Sequence, residues 1–174
     1  MPRILTLALL LGLAACTAVN PLTLGRLAAL DFLTVDPASL AARIETPPGF
    51  GIPEGAAAIS VVSERSDTGQ KISERLPLGR TGDLWRLAPA EAARLRDLQG
   101  RIRLWEAEAP KANTGAITLS LAGCLEDPAL DLTQTVNADI STDGGQTFLP
   151  FLRDLAVADI LEEAEKSAVA MRCD

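Results

Sequence analysis

Residues 57–76, AAISVVSERSDTGQKISERL, decide the fold class. Two strand-like runs, 57–65 and 70–76, flank Asp67-Thr68-Gly69. Gly69 closes the short loop and supplies the residue with φ > 0 that such a turn needs. The stretch predicts an antiparallel β-hairpin. Upstream, Leu40, Ala42 and Ile44 alternate with Ala41, Arg43 and Glu45, which predicts a further strand, and Pro47-Pro48-Gly49 stops it.

Downstream, Pro89 opens a helix over 89–109. Leu95, Leu98, Ile102 and Trp105 form one apolar stripe, Pro suits the first helical position, and Pro110 forces the stop. Ala88 at the N-cap has no side-chain oxygen, and Gly100 weakens the helix by roughly 1 kcal/mol relative to Ala. In 116–122, Ile117, Leu119 and Leu121 share a face opposite Thr118 and Ser120, a strand with one wet side. Residues 134–141 and 147–152 predict two more strands, and 155–169 a terminal helix with Val157, Ile160 and Leu161 on one side. The pattern predicts an α+β fold: an antiparallel β-sheet or small β-sandwich of about six strands, one central helix and one C-terminal helix.

The 174 residues suit one domain, and 48% of them are hydrophobic, enough for a core. With four Phe, two Trp and no Tyr, that core is built from Leu, Ala, Val and Ile. A net charge of −7 repels phosphate backbones, which argues against nucleic acid as a partner. The absence of His removes Ser-His-Asp and Cys-His catalysis and every His-ligated metal site.

The chain begins MPRILTLALLLGLAAC. Arg3 precedes an apolar run from Ile4 to Ala15, too short for a bilayer span of roughly 20 residues and the right length for a signal-peptide core. Leu13-Ala14-Ala15-Cys16 resembles the lipobox of bacterial lipoproteins. The resemblance implies cleavage before Cys16, acylation of its thiol and new amino terminus, and a membrane partner reached through those acyl chains. Thr17, where an Asp would retain such a protein in the inner membrane, implies sorting to the periplasmic side of the outer membrane. The expected organisation is a signal peptide over 1–15, a lipid-anchored tether over 16–36 and a single domain over 37–174. The tether carries Leu22, Leu24, Leu27, Leu30, Phe32 and Leu33, and the 24–27–30 spacing predicts a short helix that rests on the membrane or docks on the domain. In the oxidising periplasm that the resemblance implies, Cys124 and Cys173 are expected to form a disulfide. Closing its loop of about fifty residues stabilises by around 4 kcal/mol in the chain-entropy model.

Residues 141–148, STDGGQTF, place Ser141, Asp143, Gly145, Thr147 and Phe148 in the pattern S-x-D-x-G-x-T-aromatic. This resembles the Asp-box of sialidases and other β-propellers, a structural hairpin repeated once per blade. The resemblance implies local geometry only. A propeller needs about four or more blades of roughly 40–50 residues each, which this chain cannot supply. Sialidases use a Tyr nucleophile, and the chain has none. Asp139, Ser141 and Asp143, with Gly144, fit the first places of a calcium loop, but place twelve holds Pro150 instead of Glu. A tight hairpin with no metal and no cofactor is expected.

Arg80, Arg86, Arg94, Arg96, Arg101 and Arg103 stand against Asp83, Glu91 and Asp97, so residues 80–103 carry +3, a solvated face or a strip for an anionic partner. Trp105 belongs to the helix stripe; Trp85 sits at a strand end or loop as a candidate partner contact. No carboxylate pair has diagnostic spacing, and no catalytic residue is assigned. The expected function is that of a non-catalytic envelope lipoprotein that binds or scaffolds an envelope protein. The alternative is a cell-wall glycan-binding or glycan-active module.

Overall fold

The computed structural model describes residues 32–166 and Cys173. A 3-10 turn at Pro37–Ser39, capped by the Asp36 carboxylate, leads into β1 (Ala41–Glu45). Then come β2 (Phe50–Gly51), β3 (Ala57–Arg65), β4 (Lys71–Thr81), β5 (Leu84–Leu87) and helix α1 (Pro89–Glu108). The chain continues through β6 (Asn113–Leu121), β7 (Cys124–Leu125), β8 (Thr135–Ser141), β9 (Leu149–Ala156) and helix α2 (Val157–Lys166).

Seven strands make one antiparallel sheet in the order β6-β3-β4-β5-β1-β8-β9, and β2 pairs with β7 as a separate ribbon. The α+β class and the antiparallel sheet with two helices are as the sequence predicts. The finer description needs correction. There are nine strands among the described residues, not about six, and the sandwich alternative fails. β2, β5 and β7 have four residues or fewer, too few to display a period of two. The second layer of a sandwich is absent because the single sheet curls: its two edge strands, β6 and β9, line one cavity, and α1 covers the concave side.

The hairpin that opens the argument forms as read. β3 and β4 pair from Ala58↔Pro77 to Glu64↔Lys71, and Gly69 takes φ +71° in the loop. Ile59 and Val61 from β3, Ile72, Leu76 and Leu78 from β4, and Trp85 and Leu87 from β5 meet Ala92, Leu95, Leu98 and Ile102 of α1 in the main core. Leu95 is 1% exposed, and burial of a side chain of that size contributes about 1.5–3 kcal/mol. Trp105 packs against the same core. Trp85 is also there, buried on β5, and so is not the surface contact expected of it.

The chain from Phe32 to Asp36 lies along α1. The Gln99 side-chain amide donates to the carbonyls of Phe32 (2.7 Å) and Val35 (2.9 Å), and Arg96 pairs with Asp36 at 2.7 Å. Arg103 donates to the Leu33 carbonyl, and Leu33 and Val35 pack on the main core. A smaller core of Phe50, Val136, Val157 and Ile160 joins the β2–β7 ribbon to β8 and the start of α2. Here Gly123 is required, because a Cβ at that position would lie 2.0 Å from Phe50 Cζ. No helix among the described residues is long and apolar enough to cross a membrane.

Candidate functional site

The Asp-box-like stretch is the loop between β8 and β9. Ser141, 1% exposed, donates its hydroxyl hydrogen to Asp143 Oδ1 at 2.7 Å and accepts the Gly145 N–H at 2.9 Å. Asp143 Oδ1 also accepts the backbone N–H groups of Gln146 (3.0 Å) and Thr147 (2.9 Å). The Ser141 hydroxyl and the Thr147 N–H hold the Asp143 carboxyl down to about 2, because each bond favours the charged form. Gly144 and Gly145 take φ of +78° and +89°, which lets the turn close around that carboxylate.

Neighbouring elements fix the loop from outside. The Gly144 N–H donates to the Ser39 carbonyl at 2.8 Å, and the Ser39 hydroxyl donates to the Thr142 carbonyl at 2.7 Å. Arg86 Nη2 on β5 donates to the Gly144 carbonyl at 2.8 Å. The Arg43 guanidinium sits 4.5 Å from the centroid of the Phe148 ring, a cation–π contact. The five motif residues are therefore gathered in one loop, and its backbone is tied to β5 and to the turn before β1.

Arg43 and Asp139 face each other across β1 and β8 and pair at 2.8 Å; Arg153 reaches the other Asp139 oxygen. Burial by itself raises the Asp139 carboxyl, but hydrogen bonds from Arg153 and Arg43 outweigh it and hold the group below its ordinary value. Asp139 thus serves as the anionic partner of two guanidinium groups. Arg43, Arg153, Ser39 and Arg86 escape a reading of the motif alone, whereas Asp139 stands in the calcium-loop pattern read from the same stretch. Arg43, Ser39 and Arg86 reach the loop from β1, the turn before it and β5, which the register Ala41↔Arg86 and Ala41↔Ser141 brings together.

Cys124 and Cys173 are joined as a disulfide across 49 positions, with Cα atoms 5.3 Å apart. Cys124 is buried on β7, and Gly51 of β2 lies against the bond, where a Cβ would come within 3.0 Å of Cys173 Sγ. Arg94 pairs with Glu74 and Glu91, Arg96 with Asp36, and Arg80, Arg86 and Arg103 bond backbone carbonyls.

An apolar cavity of about 30 Å³ lies where α1 meets the two sheet edges, lined by Phe32, Trp85, Leu95, Ile117, Leu119 and Phe151 among others. Among the described residues that line it, Gln99 and Thr118 carry polar side chains besides the Trp85 indole, and none carries a carboxylate. A small-molecule site occupies roughly 300–1,000 Å³, so neither a sugar ring nor an acyl chain fits without movement. Cys16 and the leader before it lie outside the described residues. Comparison of the chain with protein-family models, with curated proteins and with solved structures finds no match.

Proposed function

We propose that this chain is a lipid-anchored cell-envelope protein that works non-catalytically, as an interaction or scaffolding module on the periplasmic side of the outer membrane. The observation that carries the reading is the order Arg3, twelve apolar residues from Ile4 to Ala15, then Cys16 closing the lipobox-like Leu13-Ala14-Ala15-Cys16. The Cys124–Cys173 disulfide suits the same oxidising compartment. Sixteen residue-to-residue steps lead from Cys16 to Phe32, and at no more than about 3.5 Å each they hold the body within roughly 55 Å of the bilayer. The glycan alternative draws no support from the cavity, and buried Trp85 offers no sugar platform.

Mass spectrometry of the native protein extracted from membranes tests the reading. The expected result is a chain that begins at Cys16 and carries acyl mass on that residue, with Cys16→Ser abolishing both. A free thiol at position 16, or an intact leader on the finished protein, overturns it.

A further inference from the structure

The two edges of the curled sheet are defended unequally. β9 carries Pro150, Arg153, a register irregularity against β8, and Asp154 at φ +55°. Proline, charge and bulges keep an edge strand from pairing with another chain. β6, NTGAITLSL, pairs with β3 in unbroken register over nine residues and carries neither charge nor proline. Among the described residues no strand pairs with its other side, and Thr114, Gly115, Ala116 and Thr118 are exposed. The bonds at the two ends of the β3–β6 pair fix which backbone groups face outward. The Ser66 N–H donates to the Ala112 carbonyl at one end, and the Ala122 N–H to the Ala56 carbonyl at the other. Bonded and non-bonded pairs alternate along an antiparallel ladder. The even-numbered residues of β6 therefore bond β3, and Asn113, Gly115, Ile117, Leu119 and Leu121 turn their N–H and C=O groups to the open side.

We infer that β6 pairs antiparallel with β6 of a second copy of this chain, about a two-fold axis between the two Ile117 residues, so that two sheets join into one. The strand itself selects a second copy. Ile117 is the midpoint of the outward-directed residues, so this register sets Ile117 against itself, Gly115 against Leu119 and Asn113 against Leu121. Each such pair exchanges two bonds, and none of the outward-directed groups is left unmatched. On the cavity side, Leu119 of one copy falls beside Gly115 of the other. That position has room because a Cβ at Gly115 would lie 2.8 Å from the Val62 carbonyl oxygen, which keeps it a glycine. Ile117 and Leu119 are half-buried where they line the apolar cavity, and in the pair each gains an apolar neighbour or loses exposure to the second backbone. On the opposite side Ala116 stands against Thr118, and Thr114 against Ser120. No charge lies along the seam, so the net charge of −7 on each copy is kept off it. Glu64, beside Thr114 on β3, is already paired with Lys71 at 3.7 Å. A strand from another protein is the rival occupant; it would gain the same backbone bonds without the self-matched register. The pairing does not depend on acylation at Cys16.

The test combines amide hydrogen exchange with density-matched sedimentation of the full chain over a range of protein concentrations. Expected are a dimer mass at high concentration and, with it, slowed exchange at Gly115, Ile117 and Leu119. Ala116→Lys/Thr118→Lys sets lysine directly against lysine across the axis, twice, and should weaken the dimer by roughly tenfold. Ala116→Glu/Thr118→Lys sets glutamate against lysine in the same places and should restore it. Both positions are exposed, so Trp85 emission, which reports the buried core, should be unchanged in either variant. A dimer that survives the lysine pair, or that the glutamate–lysine variant fails to restore, places the contact elsewhere and overturns the inference. A monomer at every concentration overturns it as well, whether Ile117 exchanges freely or is protected by another part of its own chain. An error in the acylation reading would alter the mass at Cys16 and leave the effect of these substitutions unchanged.

Discussion

Asp143 receives three hydrogen bonds on one oxygen, from the Ser141 hydroxyl and from the backbone N–H groups of Gln146 and Thr147. Each is charge-assisted and is lost or weakened once that oxygen is protonated. The carboxyl is held at about 2, below its ordinary value of 3.8, first by Ser141 and then by Thr147. A depressed carboxylate stabilises the fold at pH above its unfolded value, and the contribution disappears as pH falls through the folded one. The loop should therefore be at full strength above about pH 4 and weaken toward pH 2. The chain has no His, the side chain that ordinarily titrates between pH 5 and 8. Asp143→Asn tests the sign, since its amide is neutral at every pH. Urea midpoints should separate the variant from the unsubstituted protein at pH 6 and converge near pH 2; a gap that stays constant would show that the charge on Asp143 is irrelevant to the turn.

At the level of elements, α1 is held by its packing more than by its own sequence. Ala88 stands at the N-cap in extended backbone, φ −62° and ψ 155°, with no side chain to accept a bond from the first turn. Gly100 interrupts the middle, and a Cβ there would find nothing nearer than Arg103 Nη2 at 3.9 Å. Ala88→Ser should add about 1 kcal/mol by capping, and Gly100→Ala about 1 kcal/mol by helix propensity. The sites are twelve residues apart on one helix, so the gains should sum in the double variant, as chemical denaturation can show; no gain from Gly100→Ala would mean that the glycine is needed for a close approach. The same helix was legible in the sequence because Leu95, Leu98 and Ile102 repeat on one face and Pro89 and Pro110 bound it. The β3–β4 hairpin was legible through Gly69. β5 had a signal in Gly82-Asp83, a two-residue turn with φ +61° at the glycine, but four residues behind it show too little alternation to declare a strand. β2 and β7 had no local signal, since each is stabilised by the other across 73 positions of chain from Gly51 to Cys124. The candidate loop divides in the same way. Its five motif residues follow from local turn chemistry, whereas Ser39, Arg43 and Arg86 arrive by register set far away in sequence.

Across the whole molecule, the sheet order places β8 and β9 at one end, paired to the other strands of the sheet through β1. The 49-position loop between Cys124 and Cys173 contains β8, β9 and α2, so the disulfide closes the segment that builds this end. It also fastens the chain near its C-terminus to the β2–β7 ribbon, beside the small core of Phe50, Val136, Val157 and Ile160. By the chain-entropy argument a loop of this length contributes about 4 kcal/mol, chiefly by limiting the unfolded chain. That is a large share of the roughly 5–15 kcal/mol by which domains are stable. Cys173→Ala leaves Cys124 as a buried thiol, a residue type that interiors accept readily, so the variant isolates the cross-link from the packing. Its melting temperature should fall by roughly 8–16 °C, at about 2–4 °C per kcal/mol for a chain of this size. Adding a reductant should bring the unsubstituted protein to the same value and leave the variant unmoved. A reductant that shifts both equally, or neither, would mean that the bond does not carry this end of the sheet, and the link between the fold and an oxidising compartment would go with it.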